Sequence, residues 1–139
     1  MNKTYYQAVW EIIKMGHSIT DEVTTVLKAY DATEPQFNVL RILRGAKGKP
    51  MSVSAIQDEM VQKSSNITRI VDRLIKKNLV SRKECPTNRR KMDILITNEG
   101  LEKLKILDIK VQAMHEPFIH KLSTEELETL KNLIIKLKT

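Results

Sequence analysis

The stretch that most constrains this chain is NITRIVDRLIKKNLVSRK, Asn66 to Lys83. Ile67, Ile70, Val71 and Leu74 recur at the spacing of one helix face, with Thr68, Arg69, Asp72, Arg73, Lys76 and Lys77 on the remaining surface. One residue, Asn78, then separates the helix from Leu79-Val80, where a short basic strand begins. Asn is the usual second choice after Gly for the left-handed geometry that a helix C′ position needs. A basic helix turned by one residue into a basic strand has to share a small domain with it, at a fixed spacing.

The flanking sequence supplies the rest of such a domain. After the strand LVSRKE come CPTNRR and KMDILI, in which Met92, Ile94 and Ile96 alternate with Asp93 and Leu95. Pro and Asn between the strands predict a hairpin with a protruding basic tip, Arg89-Arg90-Lys91. Upstream, the helix is predicted to begin at the polar break Gln62-Lys63-Ser64. MSVSAIQDEMVQ predicts a short extended piece and a short helix, with Ser52 or Ser54 as N-cap and Ile56, Met60 and Val61 inward. Before that, Thr33 and Gln36 form a capping-box pattern with Pro35 in the first turn, and Phe37, Leu40, Ile42 and Leu43 a buried stripe ended by Gly45, Gly48 and Pro50.

Long helices bracket this middle. The first, about Thr4 to Tyr30, has Tyr6, Val9, Ile13, Ile19, Val23 and Val26 on one side, with Gly16 interrupting it without necessarily ending it. Thr97 caps another whose apolar residues, from Leu101 to Met114, cover more than one face. Pro117 breaks it, and Ser123 with Glu126 caps the last helix, through Leu127, Leu130, Leu133, Ile134 and Leu137. A helix apolar on several sides needs more partners than one small domain supplies. The expected class is mainly α (α+β), a winged helix-turn-helix over residues 33–97, the DNA-binding region, with long N- and C-terminal helices on either side.

Charge locates the partner. The chain carries a net +7, but residues 38–100 hold 14 Lys+Arg against 6 Asp+Glu, so the whole excess lies in the middle. A localised excess of this kind fits a polyanion, nucleic acid before membrane, or a solvated basic surface. A helix-turn-helix presents its second helix to a major groove. The DNA-contacting candidates are therefore Ser64, Ser65, Asn66, Thr68, Arg69, Arg73 and Lys76, with Arg89, Arg90 and Lys91 at the tip. Ser, Asn and Thr at a helix N-terminus meet phosphates or base edges, Arg can read guanine bidentately, and a tip Arg reaches a narrow minor groove.

TEPQFNVLRIL, SSNITRIVDRLIKKNLVSRK, NRRKMDILITNEG and LSTEELETLKNLIIKL together resemble the MarR family of bacterial winged-helix regulators, over nearly the whole chain. The resemblance implies a homodimer joined through its long terminal helices, with residues 1–32 and 98–139 as the helical dimerisation region, bound to double-stranded DNA at a near-palindromic operator, acting as a repressor and released by a small ligand or an oxidant. It also marks two departures. The family usually has an Asp two residues before the wing Arg, where this chain has Asn88, so a salt bridge into the recognition helix is lost; and Asn78 replaces a usual Gly. Oxidant-sensing members carry their cysteine in the first helix, and the single cysteine here is Cys85.

Other chemistries find little support. HEPFIH spaces His115 and His120 five apart across Pro117, which breaks the alignment that HExxH needs, and neither catalytic residue, metal nor cofactor is expected. Cys85 is an inert loop or strand-end residue, or a thiol activated by Arg82 and Lys83. Trp10, Ile13, His17 and Phe37 could line an effector cleft or simply pack in the core. With no apolar run of membrane length and no signal-peptide core at the N-terminus, the chain is expected in the cytoplasm. A rival reading keeps the winged helix but turns its basic face on an acidic protein partner, as an adaptor.

Overall fold

The computed structural model describes residues 1–63 and 65–139, and of Arg89 the backbone alone. The chain runs α1 (Lys3–Lys28), α2 (Glu34–Gly45), α3 (Val53–Glu59), α4 (Ile67–Lys76), β1 (Val80–Cys85), β2 (Asn88–Ile96), α5 (Asn98–His115) and α6 (Thr124–Lys138). This is a winged helix-turn-helix with long helices at either end. Among the described residues no helix is long and apolar enough to cross a membrane.

Short polar side chains set the helix starts. Thr33 with Gln36 and Ser123 with Glu126 form reciprocal capping boxes, Ser52 caps α3, and Thr97 caps α5. Gly16 does not interrupt α1, because its cost of about 1 kcal/mol is small beside the hydrogen bonds of a 26-residue helix.

The core is built around α2. Phe37, Val39, Leu40, Ile42 and Leu43 are buried on it. Against them pack Leu27 of α1, Ile56 of α3, Ile67, Val71 and Leu74 of α4, Val80 and Ile94 of the hairpin, and Leu104 and Leu107 of α5. The extended piece before α3 joins the hairpin by one antiparallel bridge, Met51 to Ile94, with both N–H groups donating across it at 3.0 and 2.9 Å. Val61, expected inward, is 78% exposed. The helical period stops at Met60, whose backbone is extended, and the Val61 N–H instead donates to Asn38 Oδ1 at 2.9 Å.

The two ends of the chain are packed differently. α1 lies on α5 and α2, yet Leu27, near its C-terminus, is its one buried residue among those described. α6 buries none of its side chains. Tyr6, Trp10, Ile13 and Met15 of α1, Ile109 of α5, Phe118 and Ile119 of the bend, and Leu127, Leu130, Leu133 and Leu137 of α6 are all exposed.

Candidate nucleic-acid interface

The turn between α3 and α4 is closed by side chains: Gln57 donates to the Lys63 carbonyl, and Lys63 to the Asp58 carbonyl. The recognition helix α4 starts later than the sequence suggests, at Ile67. Asn66 is its N-cap, with Oδ1 accepting from the Arg69 N–H at 3.1 Å. Asn accepts that bond in an extended conformation, which stops the helix from continuing upstream. Ser65 therefore sits half-buried ahead of the helix, and Ser64 lies outside the described residues.

Ile67, Val71 and Leu74 seat α4 on the core, and Thr68, Arg69, Arg73 and Lys76 are exposed on its other side. The exit has the geometry expected of Asn78. Its φ is +62°, its N–H donates to the Ile75 carbonyl at 2.9 Å, and the Leu79 N–H reaches the Leu74 carbonyl at 3.0 Å. These two bonds are the Schellman arrangement, and Asn supplies the left-handed residue within it. Thr97 Oγ1 then donates to the Asn78 carbonyl at 2.7 Å, holding the helix-to-strand corner against the start of α5.

The wing is tighter than the expected six-residue tip. β1 and β2 are joined by Pro86-Thr87 alone, with Cys85 opposite Asn88. The basic triad lies inside β2, in a register break. Glu84 pairs with Met92 and Cys85 with Asn88, so residues 89–91 have no partners on β1. Such a bulge re-aims side chains at the edge of a ladder, and Arg90 and Lys91 are exposed on it, beside a groove also lined by Ser52, Ser54 and Asp58. Asn88 organises the bulge: its Oδ1 accepts from the Arg90 N–H at 3.0 Å. The tie between helix and wing that an acid at this position would give comes instead from Asp72 of α4, whose Oδ1 accepts from Arg82 Nη1 of β1 at 2.8 Å.

Among the described residues, Arg69, Arg73, Lys76, Arg90 and Lys91 make no ion pair. Cations left unpaired on one helix and the adjoining wing form the electrostatic footprint of a phosphate backbone. Sequence reasoning missed Asp72–Arg82, whose one signal is an acid and a base ten residues apart across a tight corner. It also missed the difference between Lys76, which is exposed, and Lys77, which is folded back.

The four effector-cleft residues separate. Trp10 and Ile13 line a shallow apolar groove with Met1, Tyr6 and Val9 on α1. His17 is exposed, and Phe37 is a core residue with the Arg41 guanidinium 5.6 Å above its ring. Among the described residues no cluster of His, Cys, Asp and Glu could hold a metal ion. Cys85 is half-buried at the end of β1, 3.3 Å from Thr87 Oγ1. The Thr87 hydroxyl, and after it the Thr87 N–H, hold its thiol below the ordinary range.

Comparison with known proteins agrees with this geometry. A model of the MarR family matches residues 32–92. The HTH-type transcriptional regulator MhqR of Bacillus subtilis is 30% identical over 117 residues, which is 84% of this chain and 79% of that protein. The HTH-type transcriptional repressor MdtR of the same organism is 29% identical over 119 residues, 86% of this chain and 76% of that protein. Among solved structures, AbsC, a MarR family transcriptional regulator from Streptomyces coelicolor, matches in fold with a TM-score of 0.86 at 23% identity, over 99% of this chain and 94% of that one. The basic reading helix, the wing beside it and these relatives lead to one assignment: the chain belongs to the MarR family of DNA-binding transcriptional regulators.

Proposed function

We propose that the chain is a homodimeric repressor of a near-palindromic operator, released by a small ligand and working in the cytoplasm where the chromosome is. Residues 1–32 and 98–139 would join two copies, and residues 33–97 would each read a half-site. The observation that carries the dimer is the uncovered apolar surface of α1 and α6, on which Tyr6, Trp10, Ile13, Leu127, Leu130 and Leu133 are exposed while α6 buries nothing. Monomers rarely leave contiguous apolar patches of more than a few hundred Å² in water. A two-fold dimer presents two α4 helices in opposite senses, so its operator repeats in inverted form with half-sites about one helical turn apart.

On α4, Ser65, Asn66 and Thr68 would approach phosphates or base edges at the helix start. Arg69, Arg73 and Lys76 would follow along the groove, and Arg89, Arg90 and Lys91 would reach the flanking backbone or minor groove. Repression is supported by the likeness to MdtR, which is named a repressor. An apolar effector would fit the groove on α1 at Trp10 and Ile13, which neither His17 nor the buried Phe37 lines, and would act by shifting the relation between the two copies.

Selection from a random pool of duplexes, read by sequencing, with the mass of the free protein measured by light scattering, tests the reading. An inverted repeat selected by a dimer is the expected result. Failure to enrich any sequence at moderate salt would favour the adaptor reading, in which the same basic face takes an acidic protein.

A further inference from the structure

Lys77 stands at the C-cap of α4, next to the exposed Lys76, but its side chain turns inward. Its Nζ donates to the Asp31 carbonyl at 2.6 Å and to the Gln36 Oε1 at 3.2 Å, and lies 3.4 Å from the Asp31 carboxylate. Gln36 is 5% exposed and is itself fixed, because the same oxygen accepts the Thr33 N–H in the capping box of α2. Asp31 is at φ +54°, the left-handed residue of the turn between α1 and α2. The carbonyl before it, of Tyr30, is taken by Lys103 of α5 at 2.5 Å. Two lysines thus grip neighbouring carbonyls of one turn, one from the end of the recognition helix and one from α5.

We propose that Lys77 is a positioning residue for operator reading: it fastens the C-terminal end of α4 to the α1–α2 turn and so fixes the pitch of the reading helix relative to the dimerising helix. This rests on the dimeric, operator-binding reading above. In a dimer joined through α1, the distance between the two α4 helices depends on the angle between α1 and α4. A charge-assisted clamp on a half-buried ammonium holds that angle more firmly than apolar contact alone, because hydrogen bonds are directional and dispersion is not. Lys77 therefore acts on half-site spacing without touching DNA.

The test compares Lys77→Met, which keeps the stem and removes the ammonium, with Lys76→Met. Binding is titrated against the selected operator, and against versions with one base pair added or removed between half-sites, at several salt concentrations. For Lys77→Met, affinity at the preferred spacing falls about five- to ten-fold, discrimination between spacings narrows, and the salt slope stays that of the parent. For Lys76→Met the slope drops by about one while the spacing preference holds. A Lys77→Met protein whose slope drops with its spacing preference intact would overturn the proposal, since Lys77 would then be a phosphate contact; unchanged affinity and spacing would overturn it as well. Should Lys77→Met not fold, Lys77→Gln is read in the same way, because it also removes the ammonium that grips the Asp31 carbonyl and Gln36 while keeping the position polar. If the parent protein selects no DNA, the dimeric-operator reading fails and takes this proposal with it; if the parent selects and the variant matches it, only the role of Lys77 fails.

Discussion

Arg82 of β1 donates to Asp72 of α4 at 2.8 Å, so the one carboxylate on the recognition helix is held by the wing strand. Both side chains are about half exposed, which places the pair among surface ion pairs worth about 0–1 kcal/mol of stability. On the proposed function its weight would lie in recognition: Asp72 would repel phosphates, and the pair ties the helix that carries Arg69 and Arg73 to the first wing strand.

Asp72→Asn is therefore expected to leave the unfolding midpoint nearly unchanged and to raise affinity for random duplex, since one negative charge leaves the face proposed to meet DNA. Affinity for the operator should not rise in step, because the helix is no longer tied to the wing, so the ratio of specific to nonspecific binding falls. Competition titration at two salt concentrations measures the ratio directly, and an unchanged ratio would show that the pair has no part in specificity.

The helix and the wing should fail in different ways. Arg73→Ala or Arg69→Ala should cost on the order of 1–3 kcal/mol at a base that the side chain reads, and relax preference at that base alone. Arg90→Ala, on the bulge of β2, should weaken binding to all duplexes and lower the salt slope by about one, with the dimer intact by light scattering. Unchanged binding after Arg90→Ala would remove the wing from the interface.

Gly100 is buried in the first turn of α5 at a point where a side chain has no room. A Cβ there would lie 2.1 Å from the Leu79 carbonyl oxygen and 2.7 Å from Ile96 Cγ1. In an open helix position Gly→Ala gains about 1 kcal/mol. Here the expected sign is reversed, with a loss of about 1–3 kcal/mol as α5 is pushed off the helix-to-strand corner. Urea unfolding of Gly100→Ala gives the sign.

Much of this was readable before the fold was known, because it is written in local chemistry. Capping pairs three residues apart, an Asn at a helix end and an apolar stripe each act within one turn, and Thr33–Gln36, Ser123–Glu126, Asn78 and Ile67–Leu74 all stand where their patterns place them. What the sequence hid depends on which residues meet across the chain. Lys76 and Lys77 are chemically alike, and only the distant Asp31 and Gln36 decide that one turns inward. The wing bulge depends on pairing register, which CPTNRR does not encode by composition. The start of α4 is ambiguous in the sequence because Ser64, Ser65 and Asn66 are all acceptable cap residues, and the structure has Asn66 as the cap with Ile67 seated in the core.

Cys85 offers a pH measurement at the wing. Its thiolate is favoured by the Thr87 hydroxyl and then by the Thr87 N–H, against smaller opposing contributions from partial burial and, least, from Asp93. With the pKa lowered, the thiolate persists to lower pH than in a free cysteine, so alkylation by iodoacetamide should reach half its maximal rate at a lower pH. Thr87→Val removes the hydroxyl and should move that midpoint upward. An identical midpoint in the two proteins would show that the hydroxyl does not tune the thiol.

Asn78 joins stability to recognition at a single backbone angle. At φ +62° a residue with an ordinary side chain is strained by about 1–2 kcal/mol, Gly is not, and Asn lies between because its short polar side chain is tolerated there. Asn78→Gly should therefore stay within about 1 kcal/mol of the parent in urea unfolding, the relief of strain being offset by a freer unfolded chain. Asn78→Val should lose about 1–2 kcal/mol. The same angle sets where β1 leaves α4, with the Asn78 carbonyl pinned by Thr97. Asn78→Val should then lose operator affinity even where urea unfolding shows the protein fully folded, while Asn78→Gly keeps it. If Asn78→Val binds the operator as the parent does, the corner sets only stability, and the spacing between recognition helix and wing is fixed elsewhere, with Asp72–Arg82 as the remaining tie.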